Sequence, residues 1–106
     1  MRKGSTQIAK AFLIGRPATL KNDTTTGSTL YYHGNAIAKR NEDGTIDCTL
    51  AGWNTVTTRL RLNQLSDLLG SSWRVRQRKY KPMFYNWRNQ CEMPIGERDW
   101  FTLVRD

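Results

Sequence analysis

The chain has 106 residues, the size of one ordinary domain, with 17 Lys and Arg against 9 Asp and Glu and a net charge of +8. That length leaves no room for a second domain, and no apolar run approaches the ~20 residues of a membrane-spanning helix. A basic surplus of this size favours encounter with polyanions and works against basic partners.

The chain opens on Met1, Arg2 and Lys3, a basic start like that of a secretory leader. The apolar run that follows is cut by Lys10 and ends after Ile14, so a leader is rejected and a cytoplasmic protein is expected. Residues 7–14 are apolar and shorter than a helix, and Gly15 and Pro17 stop them, which predicts a strand. Residues 21–28, rich in Thr, Asn and Ser, read as a polar loop. Strands are expected over 29–33 and 36–39 about a Gly34-Asn35 turn. Asp43-Gly44 then signals a hairpin, with the returning strand over 45–50, where Ile46, Cys48 and Leu50 alternate with polar neighbours.

At Val56 the period changes. Residues 56–69 lie between a Thr cap and Gly70, and Leu62, Leu65 and Leu69 fall in one arc with Leu68 beside it. This predicts the main amphipathic helix, with Arg59, Asn63, Ser66 and Asp67 on its polar side. Beyond it, residues 73–80 alternate as a strand that Pro82 interrupts. Residues 92–96 read as a loop and residues 100–104 as a closing strand. The expected fold is α+β: one domain over residues 1–106, with an antiparallel sheet of about five or six strands packed on the helix at 56–69.

The stretch from Trp73 to Arg88 carries the strongest functional signal. On a strand, Arg74, Arg76 and Arg78 share one face at steps of about 6.6 Å, while Trp73 and Val75 turn to the core. Three guanidiniums in a row suit a line of phosphates, because each forks onto oxygens and stays charged at any pH. Lys79, Lys81 and Arg88 extend the field, and Tyr80, Phe84, Tyr85 and Trp87 offer rings on which bases stack. Arg59 and Arg61 form a second basic group at the helix start, where free N–H groups at Thr57 and Thr58 are placed to join in holding a phosphate. Capping is the competing role for those threonines, and Asn63 is positioned to pair with Arg59 or to read a base edge. The competing explanation for the arginines is a charged edge strand that discourages aggregation.

Catalytic signals are weak. His33 is the single histidine, and His33, Cys48 and Cys91 lack zinc-type spacing. Glu42, Asp43 and Asp47 sit about a hairpin, where solvation accounts for them. Gly15 is isolated and Thr24-Thr25-Thr26-Gly27 has no lysine-bearing continuation, so no phosphate loop is read. With two cysteines and no CxxC pair, reduced thiols are expected. No cofactor and no metal are expected, and a non-enzyme is favoured.

The ordered series Phe12-Leu13-Ile14-Gly15-Arg16 with Ala18, then Asn22, Gly27, Leu30, His33-Gly34-Asn35-Ala36-Ile37-Ala38, Asp43-Gly44, Gly52-Trp53 and Thr57-Thr58-Arg59 with Leu62-Asn63 resembles small uncharacterised proteins of tailed phages. The likeness covers about residues 11–65 and implies host takeover, anti-defence or genome handling inside an infected bacterium. A second likeness, confined to residues 12–27, is to the first strand and loop of single-stranded-DNA-binding OB-fold proteins. The function expected from the residues is binding of nucleic acid, single-stranded DNA or RNA before duplex. The alternative is an inhibitor or adaptor that docks on an acidic host protein, and a third reading is a small metal-free ribonuclease using His33.

Overall fold

The structure, a computed structural model, describes residues 3–104; Met1 and Arg2, read above as a leader-like start, lie outside it. Its first element is α1 (Lys3–Leu13), where a strand was expected over 7–14. Ile8, Ala9, Ala11 and Phe12 are buried while Gln7 and Lys10 are exposed, a helical spacing of the apolar positions. The polar residues before Gln7 form the opening turns, so the helix is longer than its apolar run. Arg16 N–H closes α1 by donating to Ala11 O at 2.8 Å, just before Pro17. The OB-like reading of residues 12–27 fails on the same ground, because its first strand starts in a helix.

A six-stranded antiparallel sheet follows, built as a meander. Its strands are β1 (Ala18–Leu20), β2 (Asp23–Thr25), β3 (Thr29–Tyr32), β4 (Asn35–Arg40) and β5 (Ile46–Cys48), and the C-terminal β9 (Phe101–Leu103) adds beside β5. The expected loop at 21–28 therefore contains a strand: β2 pairs with both neighbours and buries Asp23 and Thr25. Threonine packs well on a pleated surface, and its polarity hid this in the sequence. The β2–β3 turn needs Gly27, whose φ is +101° and where a Cβ would lie 2.7 Å from Gly15 O. The hairpin at Asp43-Gly44 forms as expected. Thr45 N–H and Oγ1–H donate to Asp43 Oδ1 at 3.0 and 2.6 Å, holding that carboxyl below its ordinary range.

Helix α2 (Val56–Leu69) has the predicted bounds. Thr55 Oγ1 accepts from Thr58 N–H at 3.2 Å, and Gly70, at φ 81°, ends the helix in the left-handed conformation. Leu62, Leu65 and Leu69 are buried as expected, but Ser66 is fully buried too and Asn63 is engaged. The reason is a second contact, since β6 (Trp73–Arg78) runs along the side expected to be polar. Asn63 Oδ1 accepts from Val75 N–H at 2.7 Å, and its Nδ2–H donates to Val75 O at 2.9 Å. A side-chain amide thus takes the place of a neighbouring strand along the free edge of β6.

Strand β6 belongs to a second sheet with β7 (Lys81–Asn86) and β8 (Cys91–Pro94), in the order β6-β7-β8. The expected loop at 92–96 is therefore partly strand, and Pro82 lies at the start of β7, where a missing N–H is tolerated. The α+β class holds, with two helices and two sheets among the described residues. Both sheets share one core: Phe84 stacks on Trp73 (4.3 Å, 10°) and meets Phe101 of the large sheet at 4.7 Å. No helix among the described residues is long and apolar enough to cross a membrane.

Candidate nucleic-acid interface

The β6–β7 hairpin brings the expected basic row onto one face. Directly opposed residues of an antiparallel pair project to the same side, and here Arg74 faces Tyr85, Arg76 faces Met83 and Arg78 faces Lys81. The inner side carries Trp73, Val75 and Phe84. Phe84 is 5 % exposed and belongs to the core, which corrects its expected role as a stacking platform.

Each of the three arginines has a carboxylate. Arg74 pairs with Asp67 and also donates to Ser71 O, Ser66 Oγ and Trp73 O at 2.6, 2.7 and 2.7 Å, so it bolts β6 to the end of α2. Glu92 lies on the outer side beside Tyr85. Its Oε2 accepts from Arg76 Nε–H at 2.7 Å and from Arg76 Nη2–H, and its Oε1 accepts from Arg78 Nη1–H at 2.8 Å. These bonds, from Arg78 first and Arg76 second, hold the Glu92 carboxyl below the usual carboxylate range. The Arg76 guanidinium also lies over the Tyr85 ring at 3.9 Å, so this half-buried ring is covered on that face.

The arginines remain accessible despite the pairing. The side chains of Arg76 and Arg78 are 47 % and 66 % exposed, whereas that of Glu92 is 12 % exposed. Arg76 Nη1 and Arg78 Nε and Nη2 are not used in the bonds to Glu92. At the tip, Lys79 and Tyr80 make a two-residue turn with φ of 51° and 66°, the left-handed pair that a tight hairpin demands and that glycine or asparagine usually supplies. Tyr80 is 89 % exposed there, flanked by Lys79 and Lys81. Beside Arg74, which Asp67 pairs, the outer face and tip hold four cations, Arg76, Arg78, Lys79 and Lys81, against Glu92. At the far end, Trp87 is half exposed with the Arg88 guanidinium 5.7 Å from its ring.

The second basic group is divided. Arg61 is half-buried against the buried Asp23, with Nε–H to Oδ1 at 2.6 Å and Nη2–H to Oδ2 at 3.1 Å, and it caps the Tyr32 ring at 4.5 Å. It therefore ties α2 to β2, which corrects its expected role as a ligand contact. Arg59 donates to Asn54 Oδ1 and to Gln77 Oε1, the latter at 3.2 Å, linking the helix start to the hairpin. The Thr58 N–H is taken by the Thr55 cap, and Asn63 serves β6.

A cleft of about 520 Å³ opens between the β3–β4 turn and the start of α2, walled by Tyr32, His33 and Trp53 with Asn35 and the threonines at 55, 57 and 58. Tyr32, His33 and Trp53 stand in the sequence as ordinary turn-flanking aromatics, and only the folded sheet brings them together. Cys48 is buried in β5, where burial pushes its thiol up, and Cys91 is exposed on β8; both are free. Among the described residues no three His, Cys, Asp or Glu side chains gather as a metal site.

These features define a small cationic α+β protein with an exposed basic hairpin. The chain belongs to the Kyanoviridae Gp96 protein family, a family of cyanophage proteins, whose profile matches residues 1–102. The match extends the tailed-phage likeness of residues 11–65 over nearly the whole chain. No curated protein and no solved structure matches it.

Proposed function

We propose that this protein binds single-stranded nucleic acid, DNA or RNA, along the outer face and tip of the β6–β7 hairpin. The observation that carries this reading is the hairpin itself. It presents Arg76, Arg78, Lys79 and Lys81 about a Tyr80 ring that is 89 % exposed. Glu92 fixes the two guanidiniums on that face, so their remaining donors meet a phosphate with less side-chain entropy to lose. Tyr80 stacks on an unpaired base but finds no open ring face in a duplex, which favours single strands.

Fluorescence anisotropy with labelled single-stranded DNA, RNA and duplex DNA at two salt concentrations tests this. Single strands bind best and affinity falls steeply with salt, with Arg76→Ala and Arg78→Ala each flattening the slope by about one. Tyr80→Ala weakens binding and leaves the slope unchanged. The reading fails if no probe binds below about 100 µM at low salt, the range of ordinary non-specific binding.

A second reading, docking on an acidic host protein, draws on the way Arg76 and Arg78 already grip a carboxylate, that of Glu92. It predicts capture of a partner from nuclease-treated host lysate, lost in the Arg76→Ala, Arg78→Ala variant.

A further inference from the structure

We infer that the cleft between the β3–β4 turn and the start of α2 receives a single unstacked nucleobase. This deepens the nucleic-acid reading and rests on it for the class of ligand. The volume, about 520 Å³, lies within the range of small-ligand sites. Three rings, those of Tyr32, His33 and Trp53, share its walls with Asn35 and three threonines. Tyr32 is engaged by the Arg61 guanidinium at 4.5 Å and by the tilted His33 ring at 4.3 Å. Trp53 is different: its indole is 59 % exposed, and no ring or cation packs on it among the described residues. An exposed indole beside a cleft is a platform for a planar ring.

Trp53 is held out rather than loose. Ala51 and Gly52 both take left-handed φ, at 54° and 85°. Gly52 N–H donates to Glu97 O at 2.7 Å, Trp53 N–H to Leu50 O at 2.9 Å, and Thr55 N–H to Trp53 O at 2.9 Å. A backbone bonded this way presents the indole at small entropic cost.

The lining also says what sort of ring fits. Among the described residues it contains no Lys, Arg, Asp or Glu, so a neutral planar ligand suits it better than a phosphate. The Asn35 amide, which donates to His33 O at 3.4 Å, and the Thr57 hydroxyl provide donors and acceptors for the edge of a base. Finally, the cleft adjoins the hairpin. Asn54, next to Trp53, donates to Gln77 at 3.2 Å, and Arg59 donates to the same oxygen. The residues beside the cleft are thereby joined to Gln77 of the hairpin.

The test uses adenosine and uridine, which carry no phosphate, added at millimolar concentration to isotope-labelled protein and followed by NMR. Saturable shifts of the Trp53 indole N–H and of the Thr55 to Thr58 amides are expected, equal at low and high salt. They vanish in Trp53→Ala and in Thr57→Arg, which fills the cleft, and persist in the Arg76→Ala, Arg78→Ala variant. Trp53→Ala also weakens single-strand binding at least about fivefold. Nucleosides that shift none of these signals, or shift the wild type and Thr57→Arg alike, overturn the inference. The hairpin reading is untouched by that result, because its own test reads salt-dependent strand binding.

Discussion

Arg76 and Arg78 share the carboxylate of Glu92, so one side chain both orients the two guanidiniums and subtracts from their field. The Glu92 carboxyl is held low, and its interaction with the arginines is present above the ordinary carboxylate range and lost as pH falls through the lowered value. The Glu92 contribution to single-strand affinity, read by pH titration of wild type against Glu92→Gln, therefore changes only as pH falls through that lowered value, where loss of the opposing charge raises affinity. Glu92→Gln produces that rise at neutral pH and steepens the salt slope by about one, read by anisotropy. Asn63 acts differently. Both polar groups of Val75 depend on it, so Asn63→Ala leaves an N–H and a C=O of β6 without partners and lowers stability by about 1–3 kcal/mol in urea denaturation.

At the scale of elements, what was legible depended on whether the signal is local. Helix α2 announces itself through Thr55, Gly70 and the leucines between, and the Asp43-Gly44 hairpin through its turn residues. Helix α1 was obscured because only its C-terminal part is apolar and its burial stripe emerges on packing. Strand β2 is short and polar and β8 is short and ends on Pro94, and their pairing partners supply what their composition lacks. Alternation placed Arg74, Arg76 and Arg78 on one face, yet Glu92 enters that face only through the β7–β8 register. The same periodicity put Phe84 inward opposite Val75, while composition alone had grouped it with Tyr80.

The hairpin turn is the element most open to engineering. Lys79 and Tyr80 hold left-handed backbone without being Gly or Asn, each at a cost of order 1 kcal/mol. Replacing them by Asn-Gly raises stability by about 1 kcal/mol in thermal or urea unfolding, and weakens single-strand binding because a charge and an exposed ring are removed. Unchanged affinity in that variant would separate the tip from the interface.

At the scale of the molecule, the charge of +8 is partly spent inside the fold. Arg61 and Arg74 secure α2 to β2 and β6, and the Arg40 guanidinium caps the end of α1 at Phe12 O. The surplus that stays exposed on the hairpin is what the proposal assigns to phosphate contacts, with Trp53 and its cleft receiving a base nearby. Both rest on one framework, since Phe84 and Phe101 join the sheets and Asn54 and Arg59 tie the cleft to β6. The most direct measurement is the salt dependence of single-strand affinity for the wild type and the Arg76→Ala, Arg78→Ala double variant. The account predicts a slope shallower by about two in the variant, measured at a temperature where both proteins are folded. An identical slope in the two proteins would contradict it, placing the phosphate contacts elsewhere on the surface.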